Sequence, residues 1–149
     1  MRALRAYLFV IPSVWTLSSS LLTSALGCSS PSASEPAPVC LDAGVDESCT
    51  PAYEPTYEAL YANTLQPSCG LGGAACHTSS GKQGGVDFSD PDVGYASLTG
   101  KLRAGEPECS VVVHRVLATS GTVRMPPGRS LPPGESCAII QWIAAGARR

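Results

Sequence analysis

Apolar positions along this chain form a few short helical patterns, separated by long stretches rich in glycine and proline. Tyr53, Tyr57, Leu60, Tyr61, Thr64 and Leu65 recur at intervals of three and four. That spacing predicts a helix, with Pro55 in its first turn and Pro67 as its stop. Ser89 or Asp90 is placed to cap a second short helix through Tyr95, Ala96, Ser97 and Leu98, after which Gly100 and Gly105 break the chain. Over 108–117, Val111, Val112, Val113 and Val116 favour a strand locally. Cys109, Val112, Val113 and Val116 nevertheless share one helical face, and the reading is a third helix. A fourth begins near Glu135 and carries Ile139, Ile140, Trp142 and Ile143 to Gly146, with Arg148 and Arg149 suited to its C-terminal dipole. The segment 69–85 holds six glycines among seventeen residues, which excludes regular structure there. Val86-Asp87-Phe88 follows as a brief extended stretch. The pattern therefore predicts an all-α domain of about four short helices with long Gly/Pro-rich loops.

Length changes this picture by setting a limit. A chain of 149 residues accommodates one small domain plus processing segments, and a core built from such short helices needs staples. Seven cysteines supply candidates and point to an oxidising compartment. Ten Lys+Arg and a net charge of −2 argue against nucleic acid as a partner.

The N-terminus agrees with export. Arg2 and Arg5 precede an uncharged run over 7–26, interrupted by Pro12 and by Thr16, Ser18, Ser19 and Ser20, which fits a cleaved signal peptide over 1–27 better than a membrane-spanning helix. Ala25-Leu26-Gly27-Cys28 resembles a bacterial lipobox. The resemblance implies a lipid on Cys28, and Ser29 beside it implies sorting to the outer membrane. Residues 28–48 then read as a lipid-anchored Ser/Pro/Ala tether, and 49–149 as the folded domain. The alternative for Cys28 is a disulfide in an ordinary secreted protein. Assigning it to lipid leaves six cysteines. Closeness in sequence favours Cys40–Cys49 as a local bridge, and Cys109 and Cys137 are placed to join the last two helices.

The remaining pair, Cys69 and Cys76, carries the candidate chemistry. Cys76-His77 follows a glycine loop, and Met125-Pro126-Pro127-Gly128 lies downstream. Two thiols, an imidazole and a thioether are the donors of a covalently attached haem with His/Met axial ligation. Six residues separate the cysteines where the common motif has two, so Gly70-Leu71-Gly72-Gly73 must bulge for both to reach one ring. The rival is a Cys69–Cys76 disulfide with His77 on the surface. Zinc on Cys69, Cys76 and His77 is weaker, since no second ligand pair follows. A thioredoxin-like pair lacks its βαβ surroundings, and no catalytic triad, phosphate loop or carboxylate pair stands out. His114 reads as solvent-facing, with sixth-ligand duty as its alternative. Trp142 reads as core that would also suit a haem edge.

The order helix, Cys-x6-Cys-His, Gly84-Gly85-Val86-Asp87-Phe88-Ser89, Val112-x-x-Arg115-Val116-Leu117, Met125-Pro126-Pro127-Gly128 and Gln141-Trp142-Ile143-Ala144-Ala145-Gly146-Ala147 resembles the small c-type cytochrome domains of exported bacterial proteins, above all those of planctomycete and myxobacterial lipoproteins. The likeness spans about 53–147. It implies a cytochrome c-like fold, haem c attached through Cys69 and Cys76, His77 as proximal ligand and Met125 as distal ligand stiffened by its prolines. Arg115 is then a guess for a haem propionate. The implied function is electron transfer without enzymatic turnover, with a redox partner protein in the cell envelope and attachment to the outer membrane, facing the periplasm or the surface. The alternative is a haemless, disulfide-stapled domain serving as an envelope interaction module.

Overall fold

A computed structural model describes residues 39–70, 76–119 and 124–149. The signal peptide, the lipid site at Cys28 and the tether up to residue 38 lie outside the described residues, as does the bulge at 71–75. The described residues belong to one unit, Pro36–Arg149. They form four helices and no strand, a small all-α fold. None of these helices is long and apolar enough to cross a membrane.

Helix α1 (Tyr57–Leu60) starts later than the tyrosine stripe suggests, because Thr56 is the cap: its hydroxyl accepts from the Ala59 amide. Pro55 therefore precedes the helix. Nor does Pro67 end it. The chain continues from α1 into a π-helical segment, Tyr61–Gly70, with Pro67 inside. Proline lacks an N–H and its ring crowds the carbonyl four residues back in an α-helix. The wider turn carries the chain past that obstacle. Turns of this kind concentrate at functional sites, and this one ends at Cys69 and Gly70. A Cβ on Gly70 would sit 3.2 Å from Phe88 Cβ and 3.3 Å from the Phe88 carbonyl oxygen, so glycine here lets the segment after His77 pack against the helix end.

Helix α2 (Pro91–Thr99) has Asp90 as its cap. Its carboxylate accepts from the amides of Asp92 and Val93, and Pro91 occupies the first turn. A single 3-10 turn, Pro107–Cys109, precedes α3 (Val111–Leu117). Cys109 thus lies just before the helix on which the pattern placed it. Helix α4 (Pro133–Ala144) closes with Gly146 at φ +99°. The Gly146 amide donates to the Ile143 carbonyl and the Ala147 amide to that of Trp142. This pair of bonds is the Schellman ending that a C-terminal glycine permits.

The core gathers Tyr57, Leu60 and Leu65 with Val113, Val116, Ile139, Trp142 and Ile143. Its tyrosines place their hydroxyls on backbone carbonyls: Tyr57 on Pro91, Tyr61 on Phe88 and Tyr95 on Ala147. Trp142 packs against Tyr57 and Tyr95, and the Arg149 guanidinium lies 5.9 Å from both tyrosine ring centroids.

The disulfides differ from the expected pairs. Cys40 joins Cys109 and Cys49 joins Cys137, not Cys40 to Cys49 and Cys109 to Cys137. The cause is the path of the strap between Cys40 and Cys49. The Leu41 amide donates to the Glu108 carbonyl, holding Cys40 beside Cys109. At the other end, Gln141 Nε2 donates to the carbonyls of Glu47 and Cys49. Gln141 is one helical turn from Cys137 on α4, so Cys49 meets Cys137 on that face. Residues 39–48, read as tether, are accordingly fastened to the domain, with Leu41 and Val45 packed on its core.

Candidate functional site

A cleft of about 360 Å³ lies between the end of the π-helical segment and α3, within the range of roughly 300–1,000 Å³ occupied by small-molecule sites. Cys69, His77 and Met125, three of the four residues singled out from the sequence, line it together. Cys76 is not among the lining residues; its thiol, like that of Cys69, lies outside the two disulfides. The walls come from Leu65, Val86, Phe88 and Leu98 on one side and from Val111, Val112 and Val116 of α3 on another, with Leu131 and Ile139 completing them. Among the described residues that line the cleft, charge enters through Lys101 and Arg115 and none is acidic.

Each donor is positioned by a different element. Cys69 is in the last turn of the π-helical segment, where burial pushes its thiol up to about 11; Arg129 pulls the other way and Glu135 reinforces the rise. His77 sits in a loop closed by two backbone bonds, Gln83 amide to Cys76 carbonyl and Phe88 amide to His77 carbonyl, both 2.7 Å. Its ring stands edge-on to Phe88, with centroids 5.8 Å apart. His77 Nδ1 is buried and has no hydrogen-bond partner. Met125 is docked by its amide, which donates to the Arg115 carbonyl at the end of α3 (2.9 Å), while Pro126 beside it is buried.

Asp87 fastens the His77 loop. It is buried, accepts from the Ser89 hydroxyl (2.6 Å) and amide (3.0 Å), and lies 3.5 Å from Lys82 Nζ. The Ser89 bonds, helped by Lys82, hold its carboxyl below the usual value against the opposing effect of burial. A depressed folded pKa gives stabilisation that is complete above the ordinary aspartate value, about pH 4, and is lost as the pH falls through the folded value. The Phe88 amide, bonded to His77, is therefore expected to lose hydrogen-exchange protection below about pH 4. In Asp87→Asn that acid step disappears; an unchanged acid step would remove Asp87 from this role.

Other sequence candidates fall elsewhere. His114 is not in the cleft: its Nε2 is 2.6 Å from the Glu108 carbonyl oxygen, so it fixes the turn before α3 and is no candidate ligand. Trp142, Tyr53, Tyr57 and Tyr61 do not line the cleft: Trp142, Tyr57 and Tyr61 commit their polar atoms to backbone carbonyls, and the Tyr53 hydroxyl is bonded to that of Thr64. Lys101, in the turn after α2, lines the cleft but went unnoticed in the sequence, where nothing distinguishes it from any surface lysine. The same holds for Leu131 and Ile139, which line the cleft with it.

These residues suit a haem. A haem iron takes two axial donors, which an imidazole and a thioether such as His77 and Met125, both lining the cleft, could supply, and the buried His77 Nδ1 has no hydrogen-bond partner. Apolar walls with two cations match an apolar ring bearing two carboxylates. Among the described residues no group of three or more His, Cys, Asp or Glu is placed to hold a metal ion. Comparison with protein-family models, with curated proteins and with solved structures gives no match.

Proposed function

We propose that this chain is a haem-binding electron-transfer lipoprotein of the bacterial cell envelope, with a cytochrome c-like domain. The observation that carries the reading is the shared cleft: Cys69, His77 and Met125, drawn from three separate segments, line one largely apolar cavity. In this reading Cys69 and Cys76 are the attachment thiols, and His77 and Met125 the axial ligands. Bound haem iron would supply one-electron redox chemistry. The residues around it do the rest. The valines of α3 with Leu65, Phe88 and Leu98 exclude water, the loop closed at Phe88 holds the imidazole, and the Arg115 carbonyl holds the Met125 backbone. Two protein donors on the axial positions leave no place for a substrate, which favours an electron carrier over an enzyme. A lipid on Cys28 would hold the domain at the membrane, with outer-membrane sorting, and a redox protein of the envelope would be its partner.

One observation favours the alternative, a haemless interaction module. Two bridges spanning 69 and 88 positions already staple the domain, so a cofactor would not be its sole cross-link. An absorption spectrum of the protein made in a host with haem-attachment machinery decides between them. A Soret band that survives acid–acetone extraction is expected. A colourless product would leave the haemless module standing.

A further inference from the structure

Tyr53, Thr64 and Glu135 do not line the cleft, yet their polar atoms form one chain across three elements. Thr64 is completely buried in the π-helical segment. Its hydroxyl donates to Glu135 Oε2 (2.8 Å) in the first turn of α4. With its single proton so committed, the same oxygen accepts from the Tyr53 hydroxyl. Backbone seats both ends: the Ala52 amide donates to the Gly134 carbonyl (2.9 Å), and a Cβ on Gly134 would come within 3.0 Å of Ala52. Thr64 also stands five residues before Cys69, the interval that one π-helical bond spans. Anchor and thiol therefore occupy successive turns of one segment. That thiol is exceptional, because four other cysteines are joined in two bridges and Cys69 lies outside both. A thiolate attacks a disulfide sulfur, forms a new S–S bond and expels the other sulfur, which takes up a proton; the exchange needs no outside oxidant. Glu135 itself stands two positions before the bridged Cys137.

We infer that Tyr53, Thr64 and Glu135 are positioning residues that guard Cys69: by anchoring its π-helical turn they keep the thiol in the cleft wall and out of exchange with the two bridges. The groups around Cys69 agree with this. Burial is the main reason its thiol is pushed up to about 11; Arg129 opposes the rise, and Glu135, held in place by the chain, reinforces it. The Tyr53 phenol is raised chiefly by burial, against its bond to Thr64, with Glu135 and Cys69 adding to the rise. Tyr53, Cys69 and Glu135 thus lie within electrostatic reach of one another. A protonated thiol is a weak nucleophile, so seating and charge act in the same direction. The guard goes beyond the haem reading and does not depend on it, since a thiol beside two disulfides needs protection whatever the cleft holds.

The test uses the full chain, disulfides intact, made in a host without haem-attachment machinery and labelled with iodoacetamide across about pH 7 to 10, with peptide mass mapping to read Cys69 alone. In the unaltered chain Cys69 should label slowly, and both bridges should survive prolonged incubation at about pH 9. Thr64→Val keeps the side-chain shape but removes both hydrogen bonds. It should label Cys69 about tenfold faster, as expected when a buried hydrogen bond is lost, and yield mixed disulfides containing Cys69. Thr64→Ser restores the hydroxyl and should label like the parent. Glu135→Gln keeps an acceptor for Thr64 and removes the charge, so its labelling profile should move to lower pH, with rates about threefold higher at a given pH and urea stability little changed. A purely structural staple would not produce that shift. An unshifted profile in Glu135→Gln overturns the inference, whether or not Thr64→Val folds. So does parent-like labelling of a folded Thr64→Val, labelling of Thr64→Ser as fast as that of Thr64→Val, or Cys69 found in a disulfide of the unaltered chain.

Discussion

Breaking the Cys49–Cys137 bridge should lower the stability of the domain by roughly 4–5 kcal/mol, the value expected for freeing a loop of 88 positions in the unfolded chain. Domains of this size have only about 5–15 kcal/mol in total, so Cys49→Ala with Cys137→Ala should bring the protein near its folding threshold at 37 °C. Urea unfolding of the variant against the parent measures the loss. Removing Cys40 and Cys109, which span 69 positions, should cost about as much. The two losses will not add, because the loops overlap: once one bridge is open, the other restrains a different unfolded ensemble. Pairing has its own check. Single Cys40→Ala should leave Cys109 as the newly exposed thiol in a non-reducing peptide map. Release of Cys49 instead would mean that the local bridge forms.

Under the proposed haem function, replacing His77 by alanine should abolish a low-spin haem spectrum while leaving the cofactor-free protein about as stable as before. The near-neutrality follows from two opposing terms. The ring loses its edge-on contact with Phe88, worth about 0.5–1.5 kcal/mol. Removing it also relieves a buried Nδ1 that has no partner, a burden of about 1–3 kcal/mol. A residue kept for folding would behave in the opposite way. Thermal unfolding of the cofactor-free pair, alongside spectra of both proteins made with attachment machinery, separates the roles. A large loss of stability in His77→Ala would make His77 structural. An unaltered low-spin spectrum would move the axial ligand elsewhere.

Both predictions concern residues whose meaning depends on distance along the chain. Local features were legible because their causes are local. Asp90 caps α2 through amides two and three residues away, and Gly146 ends α4 through bonds that span one turn. The Pro67 stop failed for a reason equally local in origin: proline forbids the α-helical bond, and the chain found a wider turn that does without it. Sequence proximity misled for Cys40 and Cys49. Nothing within the strap shows that its ends are drawn to Glu108 and Gln141, and four cysteines allow three pairings.

The cleft divides in the same way. The sequence by itself determined the helical class of the domain, the Asp90 cap of α2 and the Gly146 ending of α4, because propensity and capping act over a few residues. Only the tertiary structure decided which cysteines bridge, that the tyrosines and Trp142 do not line the cleft, that His114 is committed to a backbone carbonyl, and that Lys101, Arg115 and Met125 line one cleft. Those outcomes depend on how α3 and α4 pack over the end of the first helix. Packing is settled by burying the whole apolar surface at once, and no short stretch of the chain carries that information.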